Sequence, residues 1–242
     1  MADGSNTSLR ELATRAKSAA RRLAALDRAV KDKALAAVAA ALRSKSAEIF
    51  RANELDLAAA RAAGMSEALV DRLRFDQKAL ESTAKGVEYV MTLPDPVGRQ
   101  SSLERLPSGI LAGRQRVPLG VIAIVYESRP NVTIDAASLT LKSGNAALLR
   151  GGKEAAHTNR ALGEVLGAAL ESAGLPRDAV VIVPAGDRDG VRELVQLNGL
   201  VDLAIPRGGE GLIRFVVEHA RVPVVQHYKG VCHLFVDAGA NV

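Results

Sequence analysis

"VIAIVYESRPNVTIDAASLTLKSGNAALLRGGK" (residues 121–153) is the stretch that decides the fold. It contains two short apolar runs, 121–126 and 146–150, with a helical pattern at 132–143 between them. Apolar runs without polar alternation are typical of strands that are covered on both faces. Gly144 stands just before the second run, where the C-terminal cap of a helix belongs. The stretch therefore predicts strand, helix and strand, the unit from which parallel sheets are built.

The same alternation continues toward the end of the chain. Gly174 and Gly199 again stand where helix C-terminal caps belong. Alternating strands and helices predict a doubly wound, parallel α/β sheet with right-handed crossovers. In such sheets, ligands bind at the carboxyl ends of the strands. The further predicted strands are 179–184, 201–206, 222–226 and 233–237, and the further helices are 153–173, 188–198 and 210–220.

The first 98 residues have the apolar spacing of helices. Asp27 is in position to cap the second helix, and the prolines of "LPDPVG" (93–98) end the helical pattern. Beyond them, "LPSG" (106–109) has turn chemistry between two short runs, so 99–116 is predicted to form a protruding β hairpin. The predicted helices are 8–26, 27 to about 50, 53–62, 66–73 and one that follows Asp76.

Composition narrows the class of protein. The 242 residues are 48% hydrophobic but only 3% aromatic, so the core must be built from Ala, Val, Leu and Ile. Net charge is a mild +5, and the basic stretch 10–33 also holds acidic residues and no aromatic ones. That mixture favours the solvated face of helices over a nucleic-acid patch. The N-terminus lacks the apolar segment of a signal peptide, and no apolar run is long enough to span a membrane. The single cysteine excludes an internal disulfide. We therefore expect a cytoplasmic location.

Two glycine pairs with basic neighbours follow predicted strands. They lie in "RGGK" (150–153) and "IPRGGEGL" (205–212), and neither matches G-x-G-x-x-G or a Walker loop. Both belong to the ligand-binding edge, where free N–H groups and a helix dipole attract anions, so together they suggest a ligand with several phosphates. The alternative is that both pairs only supply positive φ angles for tight turns.

Several segments resemble the γ-glutamyl phosphate reductases, a family within the aldehyde dehydrogenase superfamily. The segments are "RVPLGVIAIVYESRPNVTIDAASLTLKSGNAALLRGGKEA" (116–155), "GMSEALVDRL" (64–73), "IPRGG" (205–209) and "GVCHLFVD" (230–237). The resemblance implies the Rossmann-like cofactor domain of that superfamily, which holds its nucleotide without G-x-G-x-x-G. It also implies NADPH-dependent reduction of L-glutamyl 5-phosphate to L-glutamate 5-semialdehyde with release of phosphate, a step of proline biosynthesis.

The resemblance implies roles for individual residues as well. A basic residue at the end of the second strand contacts the adenosine ribose in the superfamily, and Arg150 stands there. NAD-preferring members often carry Glu three residues later, whereas this chain has Lys153, which would attract the 2′-phosphate of NADP(H). An oxyanion-stabilising Asn is expected near the tip of the first strand; strict spacing puts Glu127 there, and Asn131 is the candidate. The implied cofactor-binding residues are Arg150, Gly151, Gly152, Lys153, Arg207, Gly208 and Gly209.

The family's chemistry uses a cysteine thiolate that attacks the acyl carbonyl, after which phosphate leaves and hydride from NADPH reduces the thioester. That cysteine lies downstream of 230–237 in the family and is not in this chain. Cys232 lies in an apolar run and is interpreted as a core residue, with His233 on the opposite face of the same strand. Gln226 takes the approximate place of the Glu base of oxidising relatives, and it cannot act as a base.

Two classes of function stay open at this point. The chain is expected to be the N-terminal portion of an NADPH-dependent reductase, inactive by itself, or else a non-catalytic nucleotide-binding module. The resemblance divides it into a helical part of the cofactor domain (1–98), an oligomerisation arm (99–116) and an NADP-binding part (117–242), with the catalytic domain absent. The expected partners are the small-molecule substrate and further copies of the complete enzyme. No metal is expected, because His157, His219 and His227 lack ligand spacing.

Overall fold

The computed structural model describes residues 7–127, 129–227 and 235–240, and it begins with a helical region. The first helix starts at a capping box, in which Ser8 and Glu11 each bond the other's backbone N–H. The fifth starts at Asp76, whose side chain accepts a hydrogen bond from the backbone N–H of Ala79. The helices are α1 (Leu9–Leu23), α2 (Arg28–Ser44), α3 (Ser46–Ala62), α4 (Glu67–Leu73) and α5 (Gln77–Thr92).

The boundary between α2 and α3 corrects the sequence prediction, which had one helix from 27 to about 50. The chain leaves the helical conformation at Lys45, with φ −104° and ψ 14°. The break lets α2 pack against α5 while both α2 and α3 pack against the later helix at 156–172. No proline or glycine marks it, so the sequence carries no local signal for it. Asp27 does precede α2 with an extended backbone, but its side chain makes no capping bond.

One residue of the basic stretch 10–33 is fully buried instead of lying on the predicted solvated face. The Lys31 side chain is 2% exposed and forms a salt bridge with Asp95. A buried ammonium needs such a partner, because desolvation of an unpaired charge is costly. The pair joins α2 to the segment that leads into the hairpin.

The predicted hairpin is confirmed as β1 (Gln100–Arg105) and β2 (Leu111–Gln115), which pair antiparallel. The register shifts between Ser101 and Glu104, and Ser102 has a positive φ of 53° there. Such a bulge bends and twists a two-stranded ribbon. All of β1 and nearly all of β2 are exposed, so the ribbon projects from the rest of the chain.

The predicted parallel sheet is confirmed in the order β5-β4-β3-β6. Every residue of β3 and β4 is buried, as their uninterrupted apolar runs predict. Because the chain moves outward from β3 to β5 and then returns to β3's other side, its winding reverses between β3 and β6. The strands are β3 (Val121–Tyr126), β4 (Ala146–Arg150), β5 (Val180–Ile182) and β6 (Leu203–Arg207).

Helices cover both faces of this sheet, which confirms the doubly wound class. The helices that follow β3 and β4 pack together with α2 behind them, whereas α1 contacts β3, β4, β5 and the helix that follows β5. Gly144 and Gly174 have φ of 75° and 83° and directly follow the C-cap residues of the helices after β3 and β4, which confirms them as helix caps. Gly199 also has a positive φ, 82°, but the helix after β5 ends at Gln196, so the prediction that Gly199 caps it is wrong. The helices of this half are α6 (Asn131–Lys142), α7 (Ala156–Ser172), α8 (Arg188–Gln196) and α9 (Glu210–His219).

The last predicted strands are only partly present. At 222–226 the chain makes a single parallel bridge, from Val224 to Ala204 of β6. Val225 is 58% exposed, so this segment lacks the two covered faces that its apolar composition predicts. Of 233–237, residues 235–237 are described and form no strand, with Phe235 exposed, while Cys232 and His233 lie outside the described residues. The main core is built almost wholly from Ala, Val, Leu and Ile, as the composition predicts.

Candidate functional site

The crevice between the carboxyl ends of β3 and β6 is the switch point of the sheet. Tyr126, the last residue of β3, is the register partner of Arg207, the last residue of β6. In open α/β sheets, ligands bind outside the strand ends at such a point. A cavity of about 550 Å³ opens there. It is lined by Leu69, Arg72, Glu127, Arg129, Val132, Pro206, Arg207, Gly208, Gly209, Ile213 and His227, which we call the switch cavity.

Glu127 occupies the helix end beside this cavity. Its Oε2 accepts a hydrogen bond of 2.8 Å from the backbone N–H of Gly209, the residue before α9. A Cβ added to Gly208 would lie 2.4 Å from the same oxygen, so the glycine lets the carboxylate approach the backbone. A carboxylate is thus bound where helix amides and the helix dipole favour an anion.

Three arginines converge on the switch cavity from separate segments. Arg72 comes from α4, Arg129 from the loop after β3, and Arg207 from the end of β6. All three are exposed. Within the described part of the chain, none of the three side chains makes an ion pair or a hydrogen bond. Together with Glu127 they give the cavity an excess of positive charge.

A buried asparagine of α3 fixes the end of α4, and with it Arg72. Asn53 Nδ2 donates to the carbonyl oxygen of Leu73 at 2.8 Å, and Oδ1 accepts from the backbone N–H of Phe75 at 2.9 Å. The two bonds clasp the backbone on either side of Arg74. Nδ2 also contacts Thr158 Oγ1 at 3.2 Å, which ties α4 to α7. A buried amide that is this fully bonded holds its neighbours in one position.

Asp56, one turn later on α3, caps α7. Its carboxylate accepts hydrogen bonds from the backbone N–H groups of His157 at 3.1 Å and Thr158 at 2.8 Å. The side chains of His157 and Thr158 contact the same carboxylate at 2.8 Å and 2.6 Å. The cap of α7 therefore comes from a residue about a hundred positions away, which no local capping signature predicts.

At the first glycine pair, the structure separates the two basic residues that sequence analysis brings to one edge. Lys153 is exposed. Arg150 is 4% exposed and donates from Nη2 to the carbonyl oxygen of Asp187 at 2.6 Å. Burial lowers the pKa of Arg150, and the Asp187 charge opposes that shift. Its Nε has no hydrogen-bond partner among the described residues. Arg150 thus holds the start of α8, and its contact with a ribose remains a prediction.

Close packing, rather than turn geometry, explains the first glycine of each pair, Gly151 and Gly208. Gly152 and Gly209 each have φ −66°, and the glycines with positive φ do not include any member of either pair. The alternative that these glycines supply positive φ is therefore wrong. A Cβ on Gly151 would lie 2.2 Å from Asn159 Nδ2 and 3.2 Å from the Tyr126 ring.

Three buried polar side chains next to Gly151 are joined by hydrogen bonds. Asn159 Oδ1 accepts from Thr133 Oγ1 at 2.7 Å, and that hydroxyl lies 2.6 Å from the Tyr126 hydroxyl. Burial raises the pKa of Tyr126 to about 12, and the Thr133 hydrogen bond opposes the shift. These hydrogen bonds link the end of β3 to α6 and α7, and so they fix the walls of the predicted ligand-binding edge.

The remaining predicted site residues lie apart from these clusters. Asn131 donates to Asp135 Oδ2 at 3.0 Å within α6 and does not line the switch cavity, so its oxyanion role stays a prediction. Gln226 is exposed. Among the described residues, no three His, Cys, Asp or Glu side chains are arranged to hold a metal ion, and no helix is long and apolar enough to cross a membrane.

Sequence reasoning missed Arg72, Arg129, Asn53 and Asp56. Arg72 lies inside "GMSEALVDRL" and Arg129 inside the 116–155 segment, so both were within the stretches that carry the family resemblance. That resemblance was the signal that could have found them. Nothing in the local pattern marks Asn53 or Asp56, because polar residues in a helix usually face solvent.

Comparison with known proteins confirms the resemblance. The model of the aldehyde dehydrogenase family matches residues 1–226. The chain is 60% identical to the γ-glutamyl phosphate reductase of Sorangium cellulosum, covering 97% of this chain and 56% of that protein. It therefore spans about half the length of the curated relatives that it matches.

Solved structures give the same result. The γ-glutamyl phosphate reductase of Thermotoga maritima superposes with a TM-score of 0.87 at 40% identity, covering 88% of this chain and 52% of that one. The γ-glutamyl phosphate reductase of Saccharomyces cerevisiae gives 0.83 at 29% identity, covering 93% and 57%.

Proposed function

Because the chain belongs to the aldehyde dehydrogenase family, we propose that it forms the cofactor-binding part of an NADPH-dependent reductase. The reaction is conversion of L-glutamyl 5-phosphate into L-glutamate 5-semialdehyde with release of phosphate, in proline biosynthesis. The observation that carries this assignment is the positively charged switch cavity, in a chain whose relatives are named γ-glutamyl phosphate reductases. A phosphorylated substrate and a phosphorylated cofactor both suit such an edge.

The residues at the strand ends fit NADP(H). The exposed ammonium of Lys153 would hold the 2′-phosphate, and Arg207 with the amides of Gly208 and Gly209 would hold the pyrophosphate. When bound, the cofactor supplies hydride for reduction of the acyl group. Glu127 already bonds Gly209, so this carboxylate has to turn away or lie beside the pyrophosphate.

The acyl group is proposed to form a thioester with a cysteine that this chain does not supply. Cys232 is the only cysteine here, and its apolar surroundings in sequence favour a core position over a reactive thiolate. We therefore expect no turnover by residues 1–242 alone. Gln226, an amide rather than a carboxylate, would leave the thioester without a base to activate water.

The β1–β2 arm is proposed to join copies of the complete enzyme. Leu103, Ile110 and Leu111 on it are 53%, 63% and 59% exposed. A projecting ribbon with exposed apolar side chains and unpaired edges is suited to pairing with another chain.

The cofactor assignment is tested by replacing Lys153 with Glu. We expect NADPH binding to weaken by about 1.5–3 kcal/mol, the value of a charge-assisted hydrogen bond, with little change for NADH. Lys78→Glu, an equal charge change at an exposed position of α5, is the matched control. Equal losses for both cofactors would remove Lys153 from the 2′-phosphate site.

The reaction is tested by joining residues 1–242 to the catalytic half of the Sorangium relative. The joined protein and residues 1–242 alone are then assayed. The joined protein should oxidise glutamate semialdehyde with NADP only when phosphate or arsenate is present. Phosphate-independent oxidation to glutamate would instead indicate a hydrolytic aldehyde dehydrogenase. Turnover by residues 1–242 alone would identify Cys232 as the nucleophile.

A further inference from the structure

On the basis of the function proposed above, we propose that the switch cavity binds the phosphate group of the acyl phosphate substrate, with Arg72 and Arg129 as its two contacts. Both residues lie outside the cofactor-binding set inferred from the sequence. The inference adds α4, an element of the N-terminal helical region, to the substrate site.

The charge of the switch cavity is the first support. Three arginines face one glutamate there, an excess of two positive charges among these four side chains. Arg43 and Arg177 show the opposite arrangement, because each of these guanidinium groups is paired with two glutamates. Unpaired guanidinium groups that converge on a concave site repel one another unless an anion joins them. Their planar donors match the oxygens of a phosphate in pairs.

The placement of Arg72 is the second support. The buried Asn53 clasps the backbone at Leu73 and Phe75, so the end of α4 has one position. Val70 and Leu73 are fully buried and anchor the helix against α3. The next arginine, Arg74, instead pairs with Asp71 through a 3.3 Å contact and does not line the cavity. Of two arginines on this short segment, the fixed backbone directs one into the cavity.

The position of the cavity favours the substrate over the cofactor's 2′-phosphate. Lys153, proposed for that phosphate, follows β4, whereas the switch cavity lies at the ends of β3 and β6. The glycine turn at 207–209, proposed for the pyrophosphate, lines the same cavity, but Arg72 and Arg129 come from α4 and from the loop after β3. The substrate carries a phosphate and a carboxylate as well as an ammonium, and Glu127 offers the opposite charge for the ammonium.

The test measures the binding of inorganic phosphate to the 242-residue chain by ³¹P line broadening at constant ionic strength. Arg72→Gln and Arg129→Gln should each weaken phosphate binding about tenfold, the equivalent of a charge-assisted contact. Arg74→Gln is the matched control and should bind phosphate like the parent chain. Circular dichroism checks that each variant keeps its helices.

Parent-like binding in both cavity variants, an equal loss in Arg74→Gln, or no binding by the parent chain would overturn the inference. NADPH binding is measured on the same samples. If phosphate binding is lost as expected while Lys153→Glu fails to discriminate between cofactors, the phosphate site stands and the cofactor assignment fails. If Lys153→Glu discriminates between the cofactors but Arg72→Gln and Arg129→Gln bind phosphate like the parent chain, the cofactor assignment stands and the phosphate site fails.

Discussion

Glu127 and Gly209 face each other across the crevice between β3 and β6, joined by a 2.8 Å hydrogen bond from the Gly209 backbone N–H to Glu127 Oε2. The contact spans 82 residues of sequence and closes the point where the sheet reverses its winding. It also places a negative charge inside a cavity whose other charged residues are arginines. Glu127 therefore opposes the binding of any further anion there.

Glu127→Gln should strengthen the binding of inorganic phosphate to the chain. The amide oxygen can still accept from Gly209, while the repulsion between two anions in a partly exposed site, about 1 kcal/mol, is removed. We expect a gain of about fivefold at low salt, measured by ³¹P titration, that shrinks as salt is added. Glu193→Gln, an equal charge change on the exposed face of α8, should leave the affinity unchanged. A weaker affinity in Glu127→Gln would show that the carboxylate supports the anion site.

Gly151→Ala should destabilise the chain, and Gly152→Ala should do so much less. The added methyl at 151 collides with Asn159, which is held by Thr133, so we expect a loss of about 1–3 kcal/mol in the free energy of unfolding. At 152 the methyl meets only the end of the Glu154 side chain, which can move aside. Denaturant unfolding followed by circular dichroism compares the two. Equal losses would mean that the turn, rather than Asn159, requires glycine.

Tyr126 should make the stability of the chain fall at high pH. The folded state raises the pKa of its phenol from 10.0 to about 12, so the unfolded chain loses this proton first. The stabilisation is complete below pH 10 and is lost as the pH rises from 10 through about 12, with a slope of up to about 1.4 kcal/mol per pH unit. Tyr126→Phe should lack this component. Coincident stability curves for the two proteins between pH 9 and 12 would contradict the burial of an un-ionised phenol.

Asp56→Ala should be strongly destabilising although the residue lies in the middle of a helix. It removes the acceptor of two backbone N–H groups at the start of α7, for which we expect a loss of about 2–4 kcal/mol. His157→Ala removes only a half-exposed imidazole from the same carboxylate and should cost about 1 kcal/mol or less. Thermal unfolding at pH 7 distinguishes them. A small effect of Asp56→Ala would mean that water replaces the cap.

Local sequence patterns predicted the elements that depend on local physics. Apolar runs at 121–126 and 146–150 identified β3 and β4 because buried parallel strands need apolar side chains on both faces. Glycines at 144 and 174 marked helix ends because only glycine adopts positive φ without strain. The same reasoning failed at Lys45, where the break serves packing with distant helices, and at 222–226, where an apolar run lacks a second covered face.

The sequence by itself determined the alternation of strands and helices, the family and the sheet edge at which ligands are expected to bind. Only the tertiary structure decided which side chains meet at that edge. It brought Arg72 to Arg129 and Arg207, buried Arg150 against Asp187, and set Asn159 against Gly151. Periodicity reports how a residue relates to its neighbours within a turn or a strand. Contacts between residues tens of positions apart depend instead on strand order and helix packing, which no local pattern encodes.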